Sequence, residues 1–173
     1  AARAMATKIK NDIKKNEKLT CSIGIGPNKL IAKIASDMQK PDGLTMVEES
    51  GIKTFLHPLP IRKIPGIGPK TEAVLLQQKI YTIGDLQSLS RDKLEKMFGK
   101  WGIDLYEKSR GIDESSIVEE WEAKSIGEQE TFTEDSLDSV FISERMSGLC
   151  MGVFDRFKRG MFKTFKTVTI TVR

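Results

Sequence analysis

Two cysteines and a single histidine in 173 residues leave little material for thiol or metal chemistry. Cys21 and Cys150 lie far apart and neither has a neighbour at metal-ligand spacing, which argues against a zinc cluster and a disulfide scaffold and fits a reducing compartment. His57, between Leu56 and Pro58, reads as a loop residue, and one histidine builds neither a triad nor a metal centre. Long apolar runs are missing too. None approaches the roughly 18 residues that a membrane span requires, and the amino terminus lacks the charged, apolar and small-residue layout of a signal peptide. No membrane contact and a cytoplasmic location are therefore expected. A strong charge of one sign is absent as well: lysine plus arginine number 28 against 24 acids, a net charge of +4. That balance tolerates a polyanionic partner without demanding one.

What is present is uneven. Residues 1–47 carry nine basic and four acidic residues, residues 48–123 eleven and thirteen, and residues 124–173 eight and seven, so the positive bias sits at the front. The hydrophobic share of 39% suffices for a core.

The opening run AARAMATKIKNDIKK places Met5, Ala6, Ile9 and Ile13 at helical spacing from the start, without a cap. LTCSIGI alternates Leu19, Cys21, Ile23 and Ile25 as a strand with one buried face does. After Gly26-Pro27-Asn28 a helix is expected with Leu30, Ile31, Ile34, Ala35 and Met38 inward, stopping before Pro41-Asp42-Gly43, and LTMV follows as a short strand.

From Ser50 to Gly111 the pattern is helical and repeatedly punctuated. It predicts helices near 51–56, 61–64, 69–78, 83–88, 91–98 and 102–110, with Gly99 and Gly111 as stops. DESSIVEEWEAK has no period and reads as a linker. The remainder reads as strand, helix and strand: KSIGEQETF, a helix with Ile142, Met146, Leu149, Val153 and Phe157 on one stripe, and FKTVTITVR. Two strands and one helix leave a sheet short of partners, so the chain reads as cut at both ends, with unpaired strand edges that predict self-association.

Two stretches carry chemistry. The tetrapeptide Gly-Ile-Gly-Pro occurs twice, at 24–27 and 66–69, each time ahead of an amphipathic helix. At the second, glycine at 66 and 68 allows a tight turn and close approach of a ligand, and Pro69 suits the first helical position. The unpaired amides of a helix start, with Lys70 beside them, make a phosphate site that positions nucleic acid without reading its sequence. The bland alternative is a short helix connection. A dinucleotide fingerprint is the weaker reading, with Thr71 at the third glycine position and a short helix rather than a strand ahead of the turn. In PNKLIAKIASDMQKP, Lys29, Lys33 and Lys40 fall on one helical face opposite the apolar stripe, bordering a groove or simply facing solvent. Trp101 and Trp121 could stack on bases, with packing the stronger reading for Trp101. Phe154, Phe157, Phe162 and Phe165 read as core and edge of the last segment.

Ile64 to Leu76 resembles the helix-hairpin-helix pattern. Taken together, TCSIGIGPNKLIAKIASDMQKPDGLTMV, IPGIGPKTEAVL and KSIGEQETF, in that order and spacing, resemble the Y-family DNA polymerases, the lesion-bypass class. The resemblance spans essentially the whole chain. It implies an α+β fold: a strand-helix palm remnant over 1–47, a helical helix-hairpin-helix thumb over 48–112, a linker over 113–123, and a truncated strand-helix-strand little finger over 124–173. By the same likeness Lys40 and Lys33 contact the incoming nucleotide, Lys29 lies near nucleotide or template, and Gly66, Ile67 and Gly68 with Lys70 hold primer phosphates. Carbonyls of Arg62, Ile64 and Ile67 cradle a monovalent or divalent cation, and Lys124, Ser125 and Ile126 open a strand on the template backbone. Implied partners are primer-template DNA, a deoxynucleoside triphosphate and, for the intact protein, a processivity clamp.

The family's magnesium ligands, an early aspartate and an Asp-Glu pair in a palm strand, are expected upstream of Ala1. Asp113-Glu114 imitates that pair but follows a helix and its Gly111 stop, and reads as linker acids. No catalytic residue is expected in this chain, and without the two-metal site it is expected to be inactive alone. Two other readings stay open: a helix-hairpin-helix glycosylase with Lys70 as lyase amine and Asp85 as its acid, though Asp85 lacks the expected context, and a non-enzymatic DNA-binding module.

Overall fold

The computed structural model describes residues 1–120, 122–160 and 162–172, so a stacking role for Trp121 lies outside the described residues. The chain divides into two compact units, Ala1–Ile117 and Val118–Arg173.

The first unit opens with α1 (Ala2–Glu17), which has no side-chain cap and buries Ala6. Met5 and Ile9 remain exposed. Lys10 ties this helix down: its ammonium donates to the carbonyls of Cys21 and Gly43 and pairs with Asp42. Next come β1 (Ile23–Ile25), α2 (Lys29–Ser36) and β2 (Leu44–Met46). The strands pair in parallel, Ile23 with Leu44 and Ile25 with Met46, so α2 is the crossover that parallel neighbours require. The strand over 19–25 is shorter than its alternation predicts, because only its last three residues have a neighbour in β2 to pair with.

The first Gly-Ile-Gly-Pro has a packing role. A Cβ on Gly24 would stand 2.0 Å from the carbonyl oxygen of Ala32, so glycine lets α2 lie directly on β1. Leu30, Ile31, Ile34 and Ala35 are buried as their spacing predicts; Met38 is not, because the helix ends at Ser36 and a third turn never forms.

A run of short helices follows: α3 (Ile52–Leu56), a 3-10 turn (Ile61–Lys63), α4 (Pro69–Gln77), α5 (Ile83–Gln87), α6 (Arg91–Phe98) and α7 (Lys100–Ser109). Each is too short to persist alone and is held by a shared core, with side-chain caps on α5 and α6. Thr82 and Asp85 form a capping box, Ser90 caps α6, and Gly99 at φ 63° turns the chain from α6 into α7. Leu56, Ile61, Ile64, Leu75, Ile83, Leu86, Leu94 and Leu105 are fully buried and continuous with the inward face of α2, so the strand-helix layer and the helical layer share one core. His57 sits at the end of α3, packed on Gly84, a structural neighbour rather than a site.

In the second unit α8 (Ser139–Arg159) is capped by Asp138, whose carboxylate accepts from the amides of Val140 and Phe141. Ile142, Met146, Leu149, Val153 and Phe157 form its half-buried face, as their spacing predicts. Arg145 pairs with Glu130 at 2.6 Å and Arg156 with Glu128 at 3.1 Å, which lays the preceding segment along the helix. Phe157 gathers Phe162 and Phe165, though Phe165, like Phe154, stays exposed. The strands expected before and after α8 are not formed among the described residues. Their alternation is strand-like, but a strand exists only in a ladder, and the two segments do not pair with each other.

Candidate nucleic-acid interface

The second Gly-Ile-Gly-Pro differs from the first in every physical respect. Gly66 has φ +102°, a conformation that L side chains rarely adopt, and a Cβ there would meet only the Trp101 ring at 3.7 Å. Gly68, the N-cap of α4, is extended, with nothing within 4 Å of where a Cβ would stand. Pro65, Gly66, Pro69 and Lys70 are exposed. The turn therefore bulges outward over a rigid base: Ile64 and Ile67 are buried beneath it, the Ile67 amide donates to the Ile64 carbonyl at 3.1 Å, and Arg62 pairs with Glu72 across the turn at 3.5 Å.

Among the described residues no protein acceptor meets the amides of Gly66, Gly68, Lys70 or Thr71, and no side chain caps α4. These donors sit at the positive end of the helix dipole, with the Lys70 ammonium beside them and in no ion pair among the described residues. An anion at this turn meets backbone N–H groups rather than side chains, the chemistry suited to a sugar-phosphate chain. Thr71 was not evident from sequence; its place as third residue of α4 gives it a free amide. Ile67, conversely, has its amide engaged inward and its side chain in the core, so it shapes the turn. Trp101 packs edge-on against Phe98 at 5.5 Å and under Gly66, in the packing role expected of it.

The lysine row divides. Lys33 lies on α2, but Lys40 lies beyond its end, because the helix closes at Ser36 with Asp37 as C-cap ahead of Pro41. One helical face therefore does not carry all three. Lys33 and Lys40 are nevertheless brought together by Asp37, at 2.7 and 2.5 Å on different oxygens. The two ammonium groups hold the Asp37 carboxyl down to about 2, Lys33 contributing most. Sequence reasoning passed over Asp37, although its place four residues after Lys33 and three before Lys40 is the spacing at which such pairs meet. Lys29 turns elsewhere and donates to the Ser116 carbonyl at 2.8 Å.

Asp113 is tied into the first unit. Its carboxylate accepts from the Leu30 amide at 3.0 Å and from the Ser115 hydroxyl at 2.6 Å, and these bonds, that of Ser115 foremost, lower its titration below the usual carboxylate range. Asp85 accepts from the amides of Thr82 and Tyr81, which lower it likewise, and serves as a helix cap; this leaves the glycosylase reading without a free acid at that position. In the second unit Lys124 and Ser125 are exposed and Ile126 is half-buried.

Known proteins resemble the chain in the same places. Residues 62–113 match the family model described as DNA polymerase-iota, thumb domain, and residues 1–37 match the impB/mucB/samB family. DNA polymerase IV 2 of Methanosarcina mazei is 41% identical over 99% of this chain and 46% of its own length. DNA polymerase IV of Nitrosopumilus maritimus is 45% identical over 94% of this chain and 46% of its own. The chain thus spans about half the length of these curated relatives. Among solved structures, a Y-family DNA polymerase chimera superposes with a TM-score of 0.77 at 31% identity, over 90% of this chain and 45% of that one. DinB from Sulfolobus solfataricus gives 0.57 at 36% identity, over 62% and 32%. The chain belongs to the Y-family DNA polymerases, as a partial-length homologue of DNA polymerase IV that carries the palm end and the helical thumb.

Proposed function

We propose that this chain is the primer-template-binding part of a lesion-bypass DNA polymerase, and that the whole protein adds deoxynucleotides to a primer. One observation carries this reading: the turn exposes Pro65, Gly66, Pro69 and Lys70 over a buried base and is rimmed by amides with no acceptor among the described residues. Gly66, Gly68, Lys70 and Thr71 take primer-strand phosphates there, while the carbonyls of Arg62, Ile64 and Ile67 take a cation, that of Ile64 beside the Ile67 amide it already accepts. Lys33 and Lys40 take the triphosphate of the incoming nucleotide, Lys29 lies near nucleotide or template, and Lys124, Ser125 and Ile126 follow the template backbone. The division into palm end (1–47), thumb (48–112), linker (113–123) and little finger (124–173) is part of the same proposal.

Magnesium belongs to the activity proposed for the whole protein. Among the described residues no three His, Cys, Asp or Glu side chains come together as metal ligands, and Asp113 is committed to the Leu30 amide and Ser115. These residues do not fit the ion, and the 173 residues are not expected to extend a primer alone.

The test is fluorescence anisotropy with a labelled primer-template duplex over a salt series, alongside primer extension with magnesium. Binding that weakens steeply with salt, with synthesis only after fusion to the preceding palm segment of a DNA polymerase IV relative, supports the proposal. Salt-insensitive binding, or incision at an abasic site that disappears in Lys70→Ala, overturns it.

A further inference from the structure

Asp37 stands where an acid is unfavourable by itself. It is the C-cap of α2, at the negative end of the helix dipole, next to a site proposed for a polyanion. Its carboxylate is only 28% exposed and holds two ammonium groups from different parts of the chain, Lys33 from the helix and Lys40 from the turn after it. Both lysine side chains stay open to solvent, at 57% and 63%. These are the charged groups that face it; among the described residues no third ion pair reaches it.

We propose that Asp37 is an internal stand-in for phosphate: it gathers Lys33 and Lys40 at one carboxylate, and a nucleotide's triphosphate binds by displacing it from both. This rests on the assignment of the two lysines to the nucleotide. One carboxylate between two ammonium groups leaves a net positive charge of one, enough to attract a polyphosphate. The contacts it gives up have their lysine ends open to solvent, which keeps each pair weak although the carboxylate itself is half-buried. By linkage, a ligand that takes the lysines loosens Asp37, and loosening Asp37 strengthens the ligand to the same degree. Asp37 thus collects the two lysines while holding down their affinity for anions.

The probes are inorganic tripolyphosphate, dATP and, as a phosphate-free control, deoxyadenosine, titrated into the chain while the Asp37 side-chain carboxyl is followed by carbon-13 NMR. Tripolyphosphate and dATP should move that signal and raise its titration midpoint from about 2 toward 3.8, and deoxyadenosine should do neither. Asp37→Asn should bind tripolyphosphate about three- to tenfold more tightly, the scale of two weak ion pairs. A variant that binds equally or more weakly, or an Asp37 signal that responds to deoxyadenosine, overturns the proposal. The wild-type titration decides the matter even where the variant folds poorly. Lys33→Ala and Lys40→Ala separate the two levels. If both weaken tripolyphosphate binding while Asp37→Asn does not tighten it, only the role of Asp37 falls. If neither weakens it, the nucleotide assignment of the lysines falls, and the stand-in role falls with it.

Discussion

The Asp113 carboxylate accepts the backbone amide of Leu30 at 3.0 Å, across 83 residues of chain. With Asn28, whose side chain takes the Ile31 amide and donates to the Gly111 carbonyl at 2.7 Å, it fastens the start of α2 to the end of the helical layer. The helix that carries Lys29 and Lys33 is thus locked to the layer that carries the outward turn at 66–68.

Removing that carboxylate should be felt in stability. Asp113→Ala leaves the Leu30 amide without its partner and a helix start without its charge, costing about 1 to 2 kcal/mol. Urea denaturation followed by circular dichroism measures it. A midpoint equal to wild type would mean that the bond contributes nothing net.

The two Gly-Ile-Gly-Pro copies should fail differently. Gly24→Ala forces a methyl group into the Ala32 carbonyl and should cost about 2 to 3 kcal/mol, as overpacking does. Gly66→Ala finds space but must hold φ +102°, so its cost, about 1 to 2 kcal/mol, comes from backbone strain alone. Thermal melts of the pair check this. A more damaging Gly66 variant would contradict the contrast.

Acid should loosen the first unit. Asp37, Asp42, Asp85 and Asp113 all titrate below their ordinary value of 3.8, Asp37 near 2. A carboxyl depressed by folding contributes stability that is fully present above its unfolded pKa and is lost as pH falls through the folded one. Stability should therefore hold down to about pH 5, fall from about pH 4 and continue falling toward pH 2. Denaturation midpoints across that range test the sign; a chain that became more stable on acidification would refute it.

Much of this was readable in advance because the signals are local. Stops at Gly99 and Gly111 and stripes on α2 and α8 each depend on neighbours within a turn or two, and the punctuated pattern places the short helices to within about two residues. What escaped depends on the distant chain. Nothing near Asp113 announces Leu30 as its partner, so it reads as a linker acid. The lysine spacing assumes a helix through Lys40, whereas Pro41 ends it early and Asp37 gathers the side chains instead. The alternation in FKTVTITVR identifies a segment able to join a sheet, but pairing requires another strand, which its own sequence cannot supply. The identical tetrapeptides show the same limit: only the helix lying on Gly24 and the open space around Gly68 distinguish packing from binding.

Gly68→Ala tests the outward turn most directly. The residue has ordinary backbone angles and open surroundings, so a methyl group should cost stability about 0.5 to 1 kcal/mol, the preference of an N-cap for glycine over alanine, while standing where a phosphate approaches the amides. Measured by anisotropy on a primer-template duplex, Gly68→Ala should bind about tenfold more weakly while its melting temperature falls by only a few degrees. Lys70→Ala should reduce the slope of log affinity against log salt by about 0.9. Wild-type affinity in Gly68→Ala together with an unchanged slope in Lys70→Ala would contradict phosphate binding at this turn.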